Sequence, residues 1–83
     1  MELGNSIQYV GENAFRELYA LTRLDLPGTV TYIGPSAFYG NGNLTTLNFN
    51  NTMAAWNAIQ KDSNWKSNFY LSVVHCTDGD VSI

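Results

Sequence analysis

Charge is scarce in this chain of 83 residues: four basic side chains stand against seven acidic ones, for a formal net charge of −3. That balance leaves no electrostatic footprint for a phosphate backbone, and nucleic acid is not an expected partner. There is one cysteine, Cys76, and one histidine, His75. A single thiol makes no internal disulfide, and one Cys with one His cannot supply four ligands to zinc within one chain, so neither staple is expected. No apolar run approaches the roughly 18 residues of a membrane helix. Met1-Glu2-Leu3-Gly4-Asn5 has neither the basic start nor the apolar stretch of a signal peptide. The expectation is a soluble chain with no membrane insertion, no metal and no cofactor. What is present is apolar: 45% of residues are hydrophobic and 13% aromatic, enough to fold. At this length there is room for one core.

A repeat organises the chain. Ser6-Ile7-Gln8-Tyr9-Val10-Gly11-Glu12-Asn13-Ala14-Phe15 aligns with Thr29-Val30-Thr31-Tyr32-Ile33-Gly34-Pro35-Ser36-Ala37-Phe38 at an offset of 23 residues. At the same offset Leu21-Thr22-Arg23-Leu24-Asp25-Leu26 lies over Leu44-Thr45-Thr46-Leu47-Asn48-Phe49. Carried backwards, it sets Met1 over Leu24 and Leu3 over Leu26, so the chain is expected to begin inside a repeat. Each unit reads in three parts. The spacing L-x-x-L-x-L ends in an alternation that predicts a short strand with Leu24, Leu26, Leu47 and Phe49 inward. Ile7-Gln8-Tyr9-Val10 and Val30-Thr31-Tyr32-Ile33, β-branched and aromatic, predict a second set of extended segments. Asn13 and Ser36 are placed to cap a short helical turn that drops Phe15 and Phe38 into the core, with Gly11 and Gly34 serving the turn before it.

A unit of this length cannot bury its apolar face alone, which predicts a stack of units, a short solenoid. The Ile/Val-x-x-Ile/Val-Gly-x-x-Ala-Phe blocks at 7–15 and 30–38, with the leucine strands at 21–26 and 44–49, resemble the BspA type of leucine-rich repeat. One departure stands out. The position after Phe-x-x is often Cys in such repeats and is Leu18 and Asn41 here, so no cysteine role is carried over. The resemblance implies a bacterial, secreted or surface-displayed parent protein whose broad partner class is host or matrix protein.

From Thr52 the period fails, since Gln60-Lys61 stand where an Ala-Phe pair would fall. Asn51 or Thr52 is placed to cap a helix over Met53–Lys61, with Met53, Trp56 and Ile59 along one face. Phe69–Val74 reads as a strand with Phe69, Leu71 and Val73 on one side, and Asp78-Gly79 as a hairpin turn before Val81-Ser82-Ile83. The succession Trp-x-x-Ile, Trp, Val-x-Cys-Thr-Asp-Gly is also similar to the ending of BspA-type arrays, so the resemblance spans about Leu3 to Val81. The expected organisation is one domain of α+β class: a partial repeat at 1–5, repeats at 6–28 and 29–51, and a helix-and-hairpin cap at 52–83.

Candidate chemistry is thin. His75-Cys76 is the one pairing that suggests nucleophilic catalysis or metal binding, yet neighbours in a strand point to opposite faces, so no catalytic residue is assigned. Asp78-Gly79-Asp80 lacks the alternating ligands and closing Glu of a calcium loop and reads as a turn. Asn43-Leu44-Thr45 and Asn50-Asn51-Thr52 fit the glycosylation sequon, a signal too short to carry weight. Tyr9 and Tyr32 hold more promise. Both are out of phase with the inward residues and recur at the repeat period, predicting an outer column suited to protein or sugar contacts, or one that simply braces neighbouring units.

No catalytic constellation is visible, so an enzyme is not expected. The readings are a binding or adhesion module that meets its partner through Tyr9 and Tyr32, and a structural spacer and cap with no ligand of its own. The open N-terminal edge also predicts a homodimer.

Overall fold

The computed structural model describes residues 6–12, 14–15, 20–40, 42–62, 64–65 and 71–83. Two sheets form, and in each the first two strands repeat at the sequence period of 23 residues. In the first, β2 (Arg23–Leu26) and β4 (Thr46–Phe49) lie parallel with Leu24 opposite Leu47 and Leu26 opposite Phe49. The alternation of these strands is what sets that register, because a slip by one residue would turn every leucine outward. All four side chains are buried. β6 (Val73–Cys76) joins β4 in parallel, Asn48 opposite His75, and β7 (Gly79–Ser82) returns antiparallel to β6, giving the order β2-β4-β6-β7.

The second sheet holds three two-residue strands, β1 (Tyr9–Val10), β3 (Tyr32–Ile33) and β5 (Gln60–Lys61), parallel in that order. Tyr9, Tyr32 and Gln60 form one row across it, and Val10, Ile33 and Lys61 the next. Threonines tie each unit to the one before it. Thr29, Thr31 and Thr45 donate their hydroxyls to the carbonyls of Ile7, Gln8 and Thr22 at 2.6, 3.4 and 3.1 Å.

The core fills the space between the sheets. Val10, Leu24, Leu26, Val30, Ile33, Leu47, Phe49, Trp56 and Val74 are all at most 3% exposed. A chain of rings runs through it: Phe15 stacks on Phe38 at 5.4 Å, Phe38 meets Trp65 edge to face at 5.9 Å, and Trp56 joins Trp65 to Phe49 at 5.9 and 5.5 Å. Such pairs contribute about 0.5–1.5 kcal/mol each beyond their buried area.

Several details differ from the sequence reading. The repeat period stops at Thr52, but the strand rows do not: β5 and β6 take third places in the two sheets. Gln60 lies 28 residues beyond Tyr32, and His75 lies 27 beyond Asn48. The extra length accommodates α1 (Met53–Ala58). Thr52 caps this helix through its hydroxyl, which accepts from the Ala55 amide at 3.1 Å. The helix stops at Ala58 instead of running to Lys61. Ile59 is extended, its buried side chain reached from the cap, and the backbone of Gln60–Lys61 is drawn into the ladder beside β3.

Ser36 does not cap a helix. Its φ of 55° is left-handed, whereas an N-cap is extended, and Pro35–Gly40 is a run of turns that still buries Phe38 completely. Gly34 has an ordinary φ. Its small size is needed because a Cβ there would stand 3.0 Å from the Glu12 amide nitrogen of the neighbouring unit. In β6 the phase is one residue off: Val74 is fully buried and Val73 only half-buried, fixed by the pairing of Val74 with Val81. The hairpin turn is Thr77-Asp78, with Gly79 opening β7 at a φ of 148°. The readings that fall on Leu3, Asn13, Leu18, Asn41 and Phe69 lie outside the described residues.

Candidate functional site

The outer face of the three-stranded sheet carries the tyrosine row. Val10 and Ile33 face the core, so Tyr9 and Tyr32, one residue earlier on two-residue strands, face away. Tyr9 is 69% exposed, and it is the exposed large hydrophobic side chain among the described residues. Tyr32 is half-buried. The rings meet edge to face, centroids 5.9 Å apart and planes at 65°. At the far end of the row the Tyr32 hydroxyl donates to Asp62 Oδ2 at 2.5 Å. The phenol is held above its ordinary value of 10.0, first by that hydrogen bond, then by burial, then by the charges of Asp62 and Glu12.

Lys61, beside Gln60 in β5, is turned the other way. Its Nζ donates to the carbonyls of Trp56 at 3.0 Å and Ile59 at 3.2 Å and sits 4.8 Å from the Trp56 ring centroid. Burial holds its amine below 10.5. Its stem crosses the core edge while its charge closes the end of α1, where unpaired carbonyls accumulate.

The outer face of the four-stranded sheet carries a second, polar row that the sequence reading did not single out. Asp25, Asn48, His75 and Asp80 stand opposite one another on β2, β4, β6 and β7. Asn48 Nδ2 donates to Asp25 Oδ1 at 2.8 Å, Arg23 Nε lies 3.3 Å from the same oxygen, and His75 Nδ1 lies 2.8 Å from Asp80 Oδ1. The Asn48 hydrogen bond, helped by Arg23 and opposed by burial, keeps the Asp25 carboxyl below 3.8. Arg23, Asp25, Asn48 and His75 border a groove of about 430 Å³. Half of the row could have been found in the sequence, since Asp25 and Asn48 occupy the same outward position of successive units. His75 could not, because its place depends on the third row.

His75 and Cys76 sit on opposite faces. His75 is exposed and paired with Asp80, while Cys76 packs against the core. Burial first, then Asp78 and Asp80, hold the Cys76 thiol above 9.0, which disfavours the thiolate a nucleophile needs. The two aspartates of Asp78-Gly79-Asp80 are engaged separately. Asp78 Oδ1 accepts from the Met53 amide at 2.8 Å at the start of α1, and Asp80 takes His75. Among the described residues no three His, Cys, Asp or Glu side chains gather as metal ligands, and no helix is long and apolar enough to cross a membrane.

Parallel strands stacked in leucine register, with core-facing leucines alternating with outward polar residues, define a leucine-rich-repeat protein. The family model for the BspA type leucine rich repeat region (6 copies) matches residues 1–70, and the chain belongs to that family. The match runs past Thr52, in keeping with the third row of strands. No curated protein and no solved structure matches the chain. Repeats of this family are interaction or surface modules, typically without enzymatic activity, of proteins that are generally bacterial and secreted or surface-displayed.

Proposed function

We propose that this chain is a protein-binding or adhesion module of a secreted or surface-displayed bacterial protein, a short solenoid that meets its partner through Tyr9 and Tyr32. The observation that carries the reading is the 69% exposure of Tyr9 on a row otherwise tied down at Tyr32 and Asp62. An exposed aromatic held against a second ring is a rigid amphipathic contact that costs little entropy to immobilise. Strand pairing at the repeat period supports the solenoid.

The test is binding of the chain and its Tyr9→Ala variant to a panel of immobilised extracellular-matrix and cell-surface proteins, with circular dichroism confirming the fold. Binding that the variant loses supports adhesion. Absence of binding by the parent chain supports the spacer reading, which the Tyr32–Asp62 bond also favours because it ties β3 to the segment after β5. A homodimer is the further partner we propose. β1 has a strand neighbour on one side only among the described residues, and a paired second copy would cover that edge. A solution mass that stays monomeric over a hundredfold concentration range overturns it.

A further inference from the structure

We propose that the tyrosine row receives a cationic side chain, an arginine or lysine presented by a protein partner, seated on the Tyr9 ring on the sheet face that carries the Asp62 carboxylate. This rests on the reading that the row is the partner contact, and it specifies the chemistry recognised there.

Three features converge. The first is the ring. Tyr9 leans on Tyr32 at 65° and remains 69% exposed, which leaves ring surface open, and an aromatic face attracts cations through its quadrupole. The second is the sign of the surrounding charge. Asp62 is bonded to the Tyr32 hydroxyl, and Glu12, two residues beyond β1, the strand that carries Tyr9, is exposed. The cation of β5 is withdrawn from this face, since Lys61 Nζ is spent on the carbonyls of Trp56 and Ile59. The third is donor use. The Tyr32 hydroxyl already donates its hydrogen bond to Asp62, so that hydrogen is not on offer to an anionic or sugar oxygen. An acidic partner would meet the Asp62 carboxylate, and a guanidinium would meet a π face and an acceptor together.

The probes are three soluble Gly/Ser peptides of equal length, carrying three arginines, three citrullines or three glutamates, and galactose as the sugar comparison. Each is titrated into the 83-residue chain while the ring resonances of Tyr9 and Tyr32 are followed by NMR. The arginine peptide is expected to shift both rings and to bind about fivefold more tightly than the citrulline peptide, the size an exposed cation–π contact gives. Glu12→Gln, an exposed charge-only change, is expected to weaken it about twofold, and Tyr9→Leu about fivefold, with Tyr9→Phe retaining it. Equal binding of arginine and citrulline peptides, preference for the glutamate peptide, or shifts produced by galactose alone would overturn the proposal.

The matrix panel separates the two readings. Protein binding that Tyr9→Ala abolishes but Glu12→Gln and 0.5 M salt leave unchanged keeps the row as a contact and removes the cation.

Discussion

Trp65 extends to a third unit the column begun by Phe15 and Phe38: the Phe38 amide donates to the Trp65 carbonyl at 3.1 Å, and the two rings meet edge to face. Trp65 is 7% exposed and also touches Trp56, so it joins the aromatic column to the helix that closes the core. Truncation to Ala removes both contacts and leaves a cavity. Trp65→Ala is expected to cost about 3–5 kcal/mol, a large share of what so small a domain holds. Urea unfolding checks it; a loss below about 1 kcal/mol would show that the column is not part of the cooperative core.

Gly11 and Gly34 are equivalent in sequence and differ in their surroundings. A Cβ on Gly34 would meet backbone atoms of the preceding unit at 3.0–3.2 Å, whereas one on Gly11 meets nothing within 4 Å. Gly34→Ala is expected to destabilise by about 1–3 kcal/mol through strain. Gly11→Ala is expected to be neutral or to stabilise by up to about 1 kcal/mol, by restricting the unfolded chain. Thermal melts of the two variants side by side decide the matter, and equal effects would refute the close approach.

Tyr32 gives a pH dependence of defined sign. Its phenol in the folded state is raised above the ordinary 10.0, so the folded protein holds that proton more tightly than the unfolded chain. The stabilisation from the Tyr32–Asp62 bond is complete below pH 10 and is lost as pH rises through the raised value. In Asp62→Asn the Tyr32 ring titration, followed by NMR, is expected to move back toward 10.0. An unmoved midpoint would mean that burial, not the carboxylate, raises it.

Cys76 is expected to react sluggishly. Half-buried and held above 9.0, it carries little thiolate at neutral pH, and attack on an aromatic disulfide reagent at pH 7 should be several-fold slower than by a free cysteine. A rate equal to or above the free thiol's would point to an activated cysteine and reopen the question of chemistry at His75-Cys76.

Legibility in the sequence followed the origin of each feature. Leu24, Leu26, Leu47 and Phe49 were readable because a two-residue alternation and a 23-residue period both fix their place. Tyr9 and Tyr32 were readable for the same reason, being out of phase with buried neighbours. Gln60-Lys61 was not, because nothing in its side chains favours a strand; the ladder with β3 imposes the conformation from outside. The Met53–Trp56–Ile59 spacing fits a helical face and predicts three residues too many, because Ile59 reaches the core from an extended cap. The partnership of Asp62 with Tyr32 is illegible for a related reason: the contact spans 30 residues and exists only once the third row is in place.

The direction of β7 sets an asymmetry between the two ends of the array. β2, β4 and β6 run the same way, and β7 runs against them. Another 23-residue unit could be inserted before β2 and find a parallel neighbour with leucines in step, but beside β7 it would face a reversed ladder. Duplication or loss of units at the first end therefore leaves the other untouched. Length and closure are thus separable properties of the array: the number of parallel rows can change while the β6–β7 hairpin stays the same.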